Sequence, residues 1–106
     1  MLLELEGLLQ ELTRFIQDRS LEDYLTDLLL RRAVERTLGM VGETLVQLRK
    51  TDPAVFREIK EGNFIIGFRN LLIHAYAQVT DRVVWGILQE NIPILHSDVR
   101  RLSTRP

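Results

Sequence analysis

The amino-acid sequence predicts an all-α protein: an up-and-down four-helix bundle with additional short helices. Two observations carry this. Apolar residues recur at spacings of three and four over long stretches, the mark of helices with one buried face. The chain also holds only three prolines and six glycines, while Leu, Glu, Arg and Val abound, which favours helices over a strand-and-turn fold. With 106 residues and no linker, repeat or low-complexity segment, residues 1–106 read as a single domain.

The elements follow in order. Leu2, Leu5, Leu9, Leu12 and Ile16 form one stripe, with Glu4, Glu6 and Glu11 off it, so a first helix spans about residues 2–17. Ser20 followed by Asp23 resembles a capping box and starts a second helix near Leu21. Its stripe, Leu21, Tyr24, Leu25 and Leu28, is out of register with Val34, Leu38, Val41, Leu45 and Leu48. A short helix therefore breaks near Asp27, and a long one runs on to about Lys50. Pro53 suits a first helical position and opens a short helix over about 53–60. Asn63 is placed to cap the next helix, which begins FIIGFRN. Thr80 or Asp81 caps the last, whose buried face is Val84, Leu88, Ile92, Leu95, Val99 and Leu102. Pro93 lies inside that helix and should bend or interrupt it, because proline lacks a backbone donor and clashes with the preceding turn. The closing STRP is expected to fray.

Composition narrows the function. The hydrophobic fraction of 45% and charged fraction of 27% are those of a globular protein, not a disordered one. A formal charge of −1 means that any nucleic-acid contact must come from a local patch or an oligomer. Without cysteine there is no disulfide framework, thiol chemistry or zinc knuckle. The opening MLLELEGLLQEL carries three glutamates and no basic start, so it reads as neither signal peptide nor membrane span, and a cytoplasmic location is expected. No cofactor or metal is expected: His74 and His96 lie far apart, and neither an H-E-x-x-H pattern nor a P-loop is present.

Two features do not fit plain bundle packing. Gly39 and Gly42 sit inside the long helix, where each costs about 1 kcal/mol relative to Ala. Helical geometry puts Glu35, Gly39, Gly42 and Glu43 on one side, so a second helix or a ligand could approach closely there, with Glu43 beside it. The other feature is RNLLIHAY, residues 69–76, which holds one of the two histidines and one of the two tyrosines. Arg69 offers a permanently cationic fork suited to phosphate, His74 a proton carrier near neutral pH, and Tyr76 a phenolic hydroxyl. That set suits phosphodiester chemistry on RNA without a metal. Leu71, Leu72 and Ile73 between them read as core. Five helical residues leave Arg69 and His74 about 140° apart around the axis, so three groups cannot meet from a straight helix. Convergence needs Arg69 to curl round, the helix to end just after His74, or a second subunit to complete the site.

RRAVERTLGMVGETL, then GFRNLLIHAY, then VTDRVVWGIL together resemble the HepT-type toxins of the HEPN superfamily, over roughly residues 15–96. Where many relatives carry Trp, this chain has Phe64. The resemblance implies a HEPN-like helical homodimer acting as the metal-independent ribonuclease toxin of a type VII toxin–antitoxin system. It implies Arg69 and His74 as the catalytic pair in a cleft at the dimer interface, Asn70 as a supporting polar group, and Glu43 at the family's Gly-Glu position. It also implies that an MntA-like minimal nucleotidyltransferase antitoxin silences the toxin by transferring AMP to Tyr76. Arg31, Arg32 and Arg36 are candidate RNA contacts, or alternatively a solvated face paired with Glu35. The competing expectation is a non-catalytic nucleotide-binding or scaffolding partner of such a nucleotidyltransferase, in which Arg69 and His74 bind a phosphate or staple the dimer.

Overall fold

Local capping chemistry sets where four of the six helices begin. In a computed structural model, which describes residues 1–75 and 79–105, the chain forms α1 (Leu2–Ile16), α2 (Leu21–Thr26), α3 (Leu28–Thr51), α4 (Pro53–Arg57), α5 (Gly62–His74) and α6 (Asp81–Ser103). The described residues contain no strand. Asp18, with φ at 60°, turns the chain out of α1 in the left-handed region that Asp tolerates better than most residues. The expected capping box is present: Ser20 Oγ accepts from the Asp23 N–H, and the Ser20 N–H donates to Asp23. Asp27 ends α2 and caps α3 by accepting from the Leu30 N–H at 3.1 Å, which explains the shift of register between their stripes. Thr80, rather than Asp81, caps α6.

Two expectations change, one at a helix start and one in the middle of a helix. Asn63 does not cap α5; it lies inside the helix and accepts from Arg49 at 2.9 Å, tying α5 to the end of α3. α6 passes through Pro93 without interruption. The proline is exposed, and the buried residues on either side of it, Ile92 and Leu95, keep the helix seated on the core. α6 ends at Ser103, and beyond it the Arg105 guanidinium reaches Glu58 at 2.7 Å.

The long helices α1, α3, α5 and α6 alternate in direction as an up-and-down bundle requires. α1 lies between α3 and α6, and α3 carries α5 on its other side. Thr51 donates to the Met1 sulfur at the far end of α1, so α1 and α3 run antiparallel. The predicted stripes on α1, α3 and α6 supply most of the core, with Leu5, Leu9, Leu12, Val34, Val41, Leu45, Leu95 and Val99 fully enclosed. Each such side chain contributes about 1.5–3 kcal/mol of burial. Tyr24 is also fully buried and meets Trp85 with ring centres 5.6 Å apart, clamping α2 to α6.

A polar contact closes the opposite end. The buried carboxylate of Asp98 accepts from the Lys60 N–H at 3.0 Å, and Arg101 lies 3.4 Å from it, fastening the α4–α5 turn to α6. No described helix is long and apolar enough to cross a membrane.

Candidate active site

α5 is positioned by one face. Ile65, Phe68 and Leu72 are buried, as is Ile66, and α5 packs chiefly on α3. Residues about 100° to either side of Leu72 must then turn outward. Leu71 and Ile73 are accordingly 50% and 52% exposed, so of the three residues read as core only Leu72, at 7%, belongs to it.

Arg69 lies on the seam between the two helices. Its side chain runs across Gly42: a Cβ placed on that glycine would sit 2.6 Å from both Cβ and Cγ of Arg69 and 3.1 Å from its Cδ. The glycine is thus the notch that receives the arginine stem. Beyond it, Nη1 donates to Asn70 Oδ1 at 3.2 Å. Arg69 Nε is buried without a hydrogen-bond partner, and no carboxylate pairs with the guanidinium among the described residues. A buried donor left unmatched usually costs about 1–3 kcal/mol. An unneutralised cationic fork in that state is suited to an anion.

The guanidinium looks into an open groove of about 400 Å³ between α3 and α5, floored by Gly39 and Leu72 and edged by Arg32, Arg36 and Ile73. Gly39, unlike Gly42, has nothing within 4 Å of where a Cβ would stand. The two glycines expected to share a role therefore divide it: one docks Arg69, the other leaves the groove open.

His74 is the last residue of α5, and Ala75 closes the helix by donating to the Leu71 carbonyl at 2.8 Å. The imidazole is exposed and makes no hydrogen bond among the described residues. Of the three routes to convergence, the helix does end just after His74, but it brings Arg69 and His74 into no contact within the described chain. Tyr76 lies outside the described residues.

The remaining candidates separate. Arg31 is absorbed by the fold: Nη1 donates to the carbonyls of Tyr24 (3.1 Å) and Leu25 (2.8 Å), and Nε lies 3.5 Å from Asp81. It holds the end of α2 and the start of α6 to α3, and is not a free contact for RNA. Arg32 pairs with Glu35 at 2.9 Å, and both border the groove. Arg36 is exposed, borders the same groove and has no ion pair among the described residues. Glu43, expected beside the glycines, lines a different hollow with Met1, Glu4 and Met40, because it follows Gly42 by a further 100° around α3.

The sequence reading missed one polar pair outside this site. His96 is buried on the α1–α6 face, with Arg100 Nη2 3.2 Å from its Nε2. Burial, then the Arg100 charge, hold its pKa below the usual histidine value against the opposing pull of Glu6. His and Arg four apart on a helix was the available signal. No three His, Asp or Glu side chains gather as a metal site would need among the described residues.

Fold and groove define a class: a small helical bundle presenting, on one helix, a terminal histidine and an arginine with no ion pair among the described residues. The family described as ribonuclease HepT-like matches residues 5–102, and the chain belongs to that family. A protein named as a candidate RNase in Caldanaerobacter subterraneus subsp. tengcongensis is 35% identical over 105 residues, 92% of this chain and 89% of the relative. A probable ribonuclease HepT of Thermococcus cleftensis is 34% identical over 95 residues, 90% of this chain and 83% of its own. A second candidate RNase, from Methanocaldococcus jannaschii, is 26% identical over 91 residues, 84% of this chain and 81% of the relative. No solved structure matches.

Proposed function

We propose that the protein is a metal-independent endoribonuclease, the toxin of a type VII toxin–antitoxin pair, with Arg69 and His74 as its catalytic residues. The observation that carries this is the state of Arg69: anchored through its stem by Gly42 and at Nη1 by Asn70, yet with Nε buried and no carboxylate paired to it. A guanidinium so fixed is preorganised for the charge that builds on a phosphate in the transition state. His74, free at the helix end, takes the proton of the RNA 2′-hydroxyl as the 2′-oxygen forms a bond to phosphorus. The bond from phosphorus to the 5′-oxygen breaks, and the imidazolium returns the proton to that leaving oxygen.

A homodimer is part of the reading. Arg69 and His74 do not meet within the described residues of one chain, and the exposed Leu71, with Phe64 and Val83, forms an apolar patch suited to burial against a second copy. A cleft formed that way brings one protomer's Arg69 towards its partner's histidine. The antitoxin is an MntA-like nucleotidyltransferase that transfers AMP to Tyr76, two residues past His74 in the sequence.

Cleavage of single-stranded RNA by purified protein tests the catalytic pair. His74→Ala and Arg69→Ala each lower the rate by about 100-fold or more, while EDTA leaves it unchanged. Because His74 is exposed, its variant keeps wild-type stability within about 0.5 kcal/mol. A His74→Ala protein cutting at the wild-type rate would refute the assignment. Expression of the chain alone arrests growth, and His74→Ala relieves the arrest. Co-expression with the nucleotidyltransferase adds the mass of one AMP, and Tyr76→Phe abolishes the addition.

A further inference from the structure

We infer that the α3–α5 groove floored by Gly39 is a nucleoside subsite, holding the base and ribose of the RNA nucleotide next to the phosphate that Arg69 grips. The inference rests on the ribonuclease reading and names a part of the substrate's path that the catalytic pair leaves undefined.

Gly39 is the starting point. In the interior of α3 glycine is a poor helix former, and nothing in the chain requires one there, since a Cβ would meet no atom within 4 Å. Gly7, Gly67 and Gly86 are open in the same way, but of these only Gly39 lies in the groove into which Arg69 reaches. The groove's volume of about 400 Å³ falls in the range of small-molecule sites. Its lining divides by chemistry. Leu72 and Ile73 give an apolar side for a base, and the guanidinium of Arg36, without an ion pair among the described residues, offers a plane on which a base can stack. The Glu35 carboxylate, which would repel a phosphate, is matched by Arg32 at 2.9 Å, so Arg36 and Arg69 leave the groove net positive. A Cβ added at position 39 would project into this space without touching the fold. The open backbone admits the flat face of a nucleoside, with its phosphate reaching the Arg69 guanidinium at the groove's edge.

Substitution at Gly39 separates this role from catalysis and from folding. Fluorescence anisotropy with a labelled single-stranded RNA, cleavage kinetics, thermal melting and sedimentation are compared for Gly39→Ala, Gly39→Leu and Arg69→Ala. Gly39→Ala melts no lower than wild type, because alanine is the better helix former and its Cβ meets no neighbour; Gly39→Leu is expected to melt alongside it, its longer side chain entering the open groove. Gly39→Leu weakens RNA binding and raises KM by about tenfold, the scale of one lost base contact, with Gly39→Ala milder and kcat little changed. Unaltered RNA affinity in Gly39→Leu overturns the subsite. So does a loss of affinity that tracks dissociation of the oligomer, which would make a second copy of the chain the occupant of the groove. If the wild-type protein cleaves no RNA, the ribonuclease reading falls by itself, and the anisotropy arm still decides the subsite.

Discussion

At the scale of single residues, function in this chain turns on glycines that look alike in the sequence and differ in space. Gly42 gives its missing Cβ to Arg69, while Gly39 gives its own to an open groove. Gly42→Ala forces the α3–α5 seam apart at the point where Arg69 crosses it, an overpacking cost of about 1–3 kcal/mol. Improved helix propensity offsets about 1 kcal/mol of that. The variant is expected to be less stable by up to about 2 kcal/mol and to cleave RNA poorly, since the guanidinium moves with its stem. A urea midpoint equal to or above that of wild type would show that the arginine stem yields without cost. The arginines behave likewise: Arg31, Arg32 and Arg36 are equivalent as a cluster in the sequence, yet the fold consumes the first, pairs the second and leaves the third in the groove.

At the scale of helices, periodicity read the well-packed elements and failed on those with two kinds of neighbour. The stripes of α1, α3 and α6 are buried as expected, because each faces the core along its length. α5 rests mainly on α3, so a run of three apolar residues there keeps only one inside and leaves Leu71 and Ile73 for another surface. Pro93 shows the converse, in which tertiary packing overrides local propensity. α6 continues through it although the Gln89 carbonyl loses its backbone donor. Since Pro93 is exposed, Pro93→Ala restores that donor without removing core contacts. It should raise stability by about 1–3 kcal/mol in urea denaturation. A fall in stability would mean that the proline ring packs usefully against α1.

At the scale of the whole molecule, stability should fall in two steps on acidification. Folding lowers the pKa of His96 through burial and the Arg100 charge, so below pH 6.5, its ordinary value, the unfolded chain takes up the proton first. The contribution of neutral His96 is therefore intact above that pH and is lost as pH falls through and below it. Asp23, Asp27 and Glu58 are held below the carboxylate range, the first two chiefly by backbone N–H donors at helix starts and the third by Arg105. Their contribution is present above about pH 4 and disappears as pH drops further. His96→Gln should flatten the dependence of the urea midpoint between about pH 7.5 and 5.5 and leave the lower step in place. An unchanged slope in that upper window would assign the first step to another group. The same division by scale separates what is legible from sequence. The bundle, its cap residues and the family resemblance follow from local patterns, because helix periodicity, capping chemistry and short motifs are properties of neighbours in the chain. Which glycine receives Arg69, which arginine stays free, and which apolar residues next to His74 remain uncovered are set by how α5 crosses α3. Only the tertiary structure decides these, because the crossing depends on the packing of side chains far apart in sequence.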